Sequence, residues 1–193
     1  SARGTYPNYN DNMSASTPKQ FAIPASAIGT TWGTAYNKFT NKVFVSAVIR
    51  RHAGMGPLGV GGIYIITPTP TSATAAPFLD VSALGVDVGT FGTNASRGLG
   101  ALNARTADPT AFSAIGKIGI GDLDISDTGD TLYFVNLHQK SLVAIDISQF
   151  NADGITLPTS SQVSSFTIPD LIGCVGGEMR PWGLKAYKGA VYV

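Results

Sequence analysis

The chain has 193 residues, with 13 Lys and Arg against 12 Asp and Glu, for a net charge of +1. Charged residues make up only 13 % of it, about half the usual share, so no clustered basic surface points to a nucleic-acid partner. No apolar run reaches the roughly 18 residues of a membrane-spanning helix, and no signal peptide is visible. Hydrophobic residues at 44 % are enough for a packed core, and 23 glycines with so few charges favour an all-β chain rich in tight turns.

Residues 1–20 are polar and aperiodic and read as an N-terminal arm. Thr31–Tyr36 and Val43–Arg50 read as strands around the turn Asn37–Asn41. A Gly-rich loop, RHAGMGPLGVG at 51–61, leads into the strand GIYIIT at 62–67. The prolines of TPTPTSATAAP (67–77) exclude a helix or a central strand, and Phe78–Val81 reads as a fourth, edge strand. Residues 83–116 are Gly-rich and irregular, with one helical turn expected near Pro109–Ala114. Gly121–Ser148, GDLDISDTGDTLYFVNLHQKSLVAIDIS, reads as a three-strand meander: Asp122–Ile125, Thr131–Leu137 and Leu142–Ile147. Asn151–Gln162 reads as a loop, Ser165–Ile168 as an outer strand, and Trp182–Tyr187 with Ala190–Val193 as the start of another hairpin.

These units repeat. At an offset of 89, Val43-Phe44-Val45 falls on Leu132-Tyr133-Phe134, and Trp32–Tyr36 falls on Gly121–Ile125 without a gap. At an offset of 59, Val191-Tyr192-Val193 falls on the same second strand, and Trp182-Gly183-Leu184 meets the strand start once the turn is shortened by two residues. Such repetition is the signature of stacked supersecondary units. It predicts an all-β, incomplete β-propeller of antiparallel meander blades. Blade 1 spans about 31–82, an insertion 83–116, blade 2 about 120–168, and the start of blade 3 182–193, all within a domain of 21–193. A propeller closes with roughly 4–8 blades. The expectation is therefore an N-terminal part of a longer protein, in which other segments or chains complete the ring.

The segment Thr128-Gly129-Asp130-Thr131-Leu132-Tyr133-Phe134-Val135-Asn136, followed by Ser141-Leu142-Val143-Ala144-Ile145-Asp146, resembles the YVTN-type repeat of bacterial surface-layer and secreted propellers. Asp127-Thr128-Gly129 departs slightly from that family's Asp-Gly pair. The resemblance covers 120–150 and 180–193 well, and 31–67 loosely. It implies a propeller and a secreted or cell-surface location, and leaves the activity open.

Candidate chemistry is sparse. The loop after the second strand of each repeat is expected to gather Arg50, Arg51, His52, His138, Lys140, Glu178 and Arg180 on one face, as a ligand site or as a solvated rim. Asp122, Asp124, Asp127 and Asp130 mimic a calcium loop, but positions six and twelve hold Asp127 and Tyr133 instead of Gly and Glu. The alternative is an Asp-rich turn whose short side chains cap backbone N–H groups. Calcium is thus the one cofactor suggested.

GMGPLG at 54–59 matches G-x-G-x-x-G, yet Pro57 and a following strand replace the helix that a dinucleotide site needs. Ser16-Thr17-Pro18-Lys19 fits S-x-x-K without its companion motifs. Trp32 and Trp182 start equivalent strands, which favours packing between blades over sugar stacking. Asn12 and Asn94 head glycosylation sequons. Cys174, the single cysteine, is a candidate for a disulfide to a partner outside these residues. The expectation is a non-enzymatic, extracellular propeller with a structural, adhesive or assembly role, with a cell-surface glycan as a further partner. The alternative is a propeller enzyme or carbohydrate-binding protein whose site is completed by other blades.

Overall fold

The computed structural model describes residues 23–99, 106–170 and 174–193. The expected arm at 1–20 and both the S-x-x-K and Asn12 motifs lie outside them. The described chain is mostly β, in three antiparallel sheets with few short helices. Sheet 1 is β1 (Thr31–Asn37), β2 (Lys42–Ala47), β3 (Gly62–Pro68) and β4 (Ala73–Asp80), paired in chain order. Sheet 2 is β5 (Ile120–Ile125), β6 (Thr131–Asn136), β7 (Ser141–Asp146) and β8 (Val163–Thr167), again in chain order. Sheet 3 is the hairpin β9 (Lys185–Tyr187) and β10 (Ala190–Tyr192). The helices are α1 (Ala25–Ile28), α2 (Pro109–Ala114) and α3 (Ser148–Asp153).

Turn chemistry sets these hairpins. Asn37 ends β1, and its Oδ1 accepts from the N–H groups of Phe39 and Thr40; Asn136 ends β6 and does the same for His138 and Gln139. Both loops return through one residue of positive φ, Asn41 at 53° and Lys140 at 51°. Such Asx turns replace backbone pairing where the chain reverses. The β9–β10 turn has positive φ at Lys188 and Gly189, 50° and 74°, the two-residue type I′ geometry that suits the twist of a hairpin.

Two differences from the sequence expectation have a physical reason. The edge strand was expected at Phe78–Val81, but β4 runs over Ala73–Asp80 and includes Pro77. It lies at the sheet edge, where a missing N–H is tolerated, and the pairing register shifts between Ile63 and Tyr64, the partner of Pro77. The expected loop 151–162 holds the end of α3 and a 3-10 turn at Ser160–Gln162, closed by a Thr159–Gln162 capping box.

The sheet registers coincide with the sequence offsets. Thr34↔Val45, Ala35↔Phe44 and Tyr36↔Val43 in sheet 1 become Leu123↔Phe134, Asp124↔Tyr133 and Ile125↔Leu132 in sheet 2, each residue 89 positions on. Even the register shift recurs, between Thr31 and Thr34 and between Ile120 and Leu123. In sheet 3, Ala186↔Val191 and Lys185↔Tyr192 stand where Ile125↔Leu132 and Asp124↔Tyr133 stand in sheet 2.

The first strands lie side by side, β1 against β5 and β5 against β9. Gly33 allows the β1–β5 approach, because a Cβ there would lie 2.5 Å from the Leu123 nitrogen. The main core fills the space between sheets 1 and 2, with Phe44, Ile63, Ile65 and Phe78 against Leu123, Leu132, Phe134, Val143 and Ile145. A second cluster covers the far face of sheet 1, where Ile28, Ala111 and Ala114 lie on Val45, Ala47 and Tyr64. A third and smaller one joins sheet 2 to sheet 3, through Val135, Leu137 and Leu184.

Candidate functional site

The polar residues expected on one loop face fall into two groups, and among the described residues no hydrogen bond or ion pair joins them. The first lies where the chain leaves β2. Arg51 donates from Nε and Nη2 to the Ala107 carbonyl, at 3.2 and 2.8 Å. His52 sits at φ 62°; its N–H donates to Asp108 Oδ2 at 2.8 Å, and its Nδ1 lies 2.7 Å from the Thr106 hydroxyl. The Arg50 carbonyl accepts from Arg97 Nη2 at 3.0 Å, while the Arg50 side chain is exposed.

The centre of this group is a pair that the sequence reading missed. Arg97 meets Asp108 in a forked contact, Nε to Oδ1 at 3.1 Å and Nη2 to Oδ2 at 2.7 Å. The two side chains are 1 % and 0 % exposed. The guanidinium also lies 4.7 Å over the Phe91 ring, and Arg97 Nη1 has no partner among the described residues. The Arg97 hydrogen bonds hold the Asp108 carboxyl below the usual aspartate range, against the opposing effect of burial. Asp108 stands at the start of α2 in a left-handed conformation with no capping bond; its carboxylate serves the ion pair instead. The available signals were weak: Arg97 inside an apolar, sparsely charged loop, and an Asp-Pro step at a helix start.

The second group surrounds the β6–β7 turn. The His138 ring lies against Gly89, where a Cβ would come 3.0 Å from Nδ1, and its Nε2 is 3.6 Å from Asp87 Oδ2. Lys140 contacts Glu178, and lies 3.5 Å from Asp170. Arg180 reaches the other Glu178 oxygen at 2.5 Å. Lys140 and Arg180 together hold the Glu178 carboxyl low, and Glu178 in turn raises Lys140. Glu178 is more than half exposed, so this is a solvent-screened rim network.

Three of the four aspartates of the β5–β6 region, Asp122, Asp124 and Asp127, point at sheet 3. Asp124 is buried; its Oδ2 accepts from the Ala186 N–H at 2.9 Å and from Lys185 Nζ at 2.6 Å. Asp122 Oδ2 accepts from the Leu184 N–H at 3.3 Å, and Asp127 Oδ2 from the Gly189 N–H at 3.0 Å. Asp130 is exposed and contributes its backbone, its N–H to Ser126 Oγ and its carbonyl to Ile147. Among the described residues no three His, Cys, Asp or Glu side chains converge as a metal-ligand set.

The remaining motifs take structural places. Trp32 and Trp182 meet edge to face, centroids 5.6 Å apart, and Trp32 keeps 57 % of its surface exposed. Gly56 of the GMGPLG loop packs beneath the Tyr64 hydroxyl, where a Cβ would come within 2.4 Å. The side-chain amide of Asn94 exchanges hydrogen bonds with the Met55 N–H and carbonyl, at 2.8 and 2.9 Å. Cys174 is an exposed free thiol. Among the described residues no helix is long and apolar enough to cross a membrane.

No family model matches the chain, and no solved structure matches it. It is similar to Colossin-D of Dictyostelium discoideum, 26 % identical over 121 residues, which is 63 % of this chain. The chain spans 12 % of the length of that protein.

Proposed function

We propose that the three sheets are blades of a β-propeller, and that the chain serves a non-enzymatic structural, adhesive or assembly role at a cell surface or outside the cell. One observation carries the architecture: the first hairpins of all three sheets share one register, with their leading strands side by side. Radial repetition of that unit is how propellers are built, and a closed ring takes roughly 4–8 blades. Sheets from other segments or chains would supply the rest. The resemblance of Thr128–Asp146 to the YVTN-type repeat supports the surface location.

The non-enzymatic part rests on how the polar residues are used. Arg51, His52 and Asp108 bind one another's loops, Glu178 binds Lys140 and Arg180, and three aspartates bind sheet 3. These side chains are engaged in holding the scaffold. The exposed face of Trp32 favours one second reading, a glycan stacked at the mouth formed by the leading strands.

Two measurements on one preparation separate these readings. Intact producing cells are labelled with a membrane-impermeant biotin reagent, and the purified protein is screened against an immobilised glycan panel. Labelled or secreted protein without glycan capture is expected. Protein confined to the cell interior overturns the location, and glycan capture lost in Trp32→Ala transfers the role to the second reading.

A further inference from the structure

We infer that Asn94 is a modification site whose use opposes folding: an N-linked glycan on its side chain and the docking of the loop at 54–56 exclude one another. The inference rests on the extracellular reading above for its setting, because such acceptors are used in secreted chains. The geometry is the chain's own.

Asn94-Ala95-Ser96 has the acceptor pattern N-x-S. Glycan transfer needs a free side-chain amide, and this one is engaged. Asn94 Oδ1 accepts from the Met55 N–H at 2.8 Å, and Asn94 Nδ2 donates to the Met55 carbonyl at 2.9 Å. Both partners belong to one residue, so Nδ2 presents the hydrogen that lies on the same side as Oδ1. In the transfer a bond forms between Nδ2 and the anomeric carbon of the sugar. The bond from that carbon to the lipid diphosphate of the donor breaks, the diphosphate leaves with the electron pair, and one Nδ2 proton is lost. The product is a secondary amide, which strongly prefers the trans form. Trans to Cβ is the side of Oδ1, so the sugar takes the position of the hydrogen that reaches Met55. The loop backbone also lies against the nitrogen, since a Cβ on Gly54 would come 3.1 Å from Asn94 Nδ2. The Ser96 hydroxyl is engaged as well, donating to the Thr93 carbonyl at 3.0 Å.

What the clamp holds gives the modification a consequence. The loop at 54–56 lies between Asn94 and the chain entering β1. Gly29 bridges Met55, and the Thr30 N–H and hydroxyl both donate to the Gly54 carbonyl, at 3.0 and 3.1 Å. Met55 packs with Ile28 of α1 in the cluster on the far face of sheet 1. A glycan that reaches Asn94 before folding therefore leaves Met55 unheld and loosens the seat of α1. A chain that folds first closes the acceptor.

The test uses the unglycosylated 193-residue protein and a peptide of residues 88–99, VGTFGTNASRGL. Each is incubated with a purified oligosaccharyltransferase and a lipid-diphosphate-linked oligosaccharide, and occupancy of Asn94 is read by mass-spectrometric peptide mapping. The peptide should be modified, and Asn94 of the folded protein at least tenfold less. Equal occupancy in the two, or a peptide that stays bare, overturns the inference. A second arm takes the chain from a eukaryotic secretory host and compares hydrogen exchange at Met55 and Thr30 with that of the bare protein. An empty Asn94 is expected, or an occupied one with at least tenfold faster exchange at both amides. An occupied Asn94 with both amides protected as in the bare protein overturns the inference. Asn94→Ala, which carries no glycan, should exchange as fast at Met55 as the occupied chain, and Ser96→Ala, which removes the acceptor pattern and keeps the clamp, as slowly as the bare protein. Protection retained in Asn94→Ala, or lost in Ser96→Ala, counts against the clamp. Neither arm depends on where the source cells keep the protein, so failure here leaves the location reading standing, and failure of the biotin labelling leaves this competition standing.

Discussion

The junction between sheets 1 and 2 and the junction between sheets 2 and 3 are built from different chemistry. The first is a wide apolar layer centred on Phe44, Ile63, Leu123 and Phe134. Its polar contacts are few: Ser46 Oγ to the Gly121 carbonyl at 3.1 Å, and Asn37 Nδ2 to Gly129 O at 3.2 Å and Asn151 Oδ1 at 3.1 Å. The second has a small apolar cluster and a row of carboxylates, Asp122, Asp124 and Asp127, receiving backbone N–H groups of sheet 3. Burial of apolar area scales with the surface removed from water and is indifferent to direction, whereas a charge-assisted hydrogen bond fixes position. The first junction therefore holds the molecule together, and the second sets where a two-stranded hairpin sits.

The largest effect tests the apolar side of that contrast. Phe134→Ala removes a fully buried ring from the centre of the first junction, and should cost about 3–5 kcal/mol, read as a lowered urea midpoint. Arg97→Ala is of similar size, about 3–5 kcal/mol, because it leaves the Asp108 charge buried alone. It acts on the far side of sheet 1 and should leave exchange at Ala186 unchanged.

The same pair has a pH signature. Arg97 lowers the Asp108 pKa, so the contribution is complete above the unfolded-state value of about 4 and is lost as pH falls through the lower folded value. Between about pH 4 and that lower folded value, the stability of Arg97→Met with Asp108→Asn should therefore fall less steeply with acid than that of the wild type. Equal slopes would show that the pair does not govern acid stability.

Asp124→Ala tests the second junction. It strands the buried Ala186 N–H, at a cost of about 1–3 kcal/mol. Faster exchange should be confined to Ala186 and Gly189, and Asp124→Asn, which keeps an acceptor oxygen, should restore much of the protection. Exchange that rises equally in β2 and β3 would erase the distinction between the junctions. The smallest effect is at the rim. Lys140→Met should leave the urea midpoint unchanged and move the Glu178 titration, followed by NMR, up toward the ordinary range, since Lys140 is the main cause of its lowering.

Strands and registers were legible because each carries its own local signal. Alternation marks the end of β5, short apolar runs mark β6 and β7, Asx and Gly residues mark their turns, and the repeat aligns Val43-Phe44-Val45 with Leu132-Tyr133-Phe134. The Asp-rich segment was legible as to residue and ambiguous as to role. Asp122 and Asp124 lie on the face of β5 that meets sheet 3, and a single-strand pattern does not say what stands opposite. Arg97 and Asp108 were invisible because a buried ion pair between irregular loops has no period and no fixed spacing. Pro77 misled for a related reason: proline forbids a central strand but permits an edge, and strand order is not written in local sequence.

The blade account is tested most directly by cryo-electron microscopy of the protein purified from its source in its native assembly. The account predicts β1, β5 and β9 lining a common axis, four to eight sheets around it, and a third strand hydrogen-bonded along β10. A particle in which the sheets share no axis, with the edge of β10 open to solvent, would contradict it.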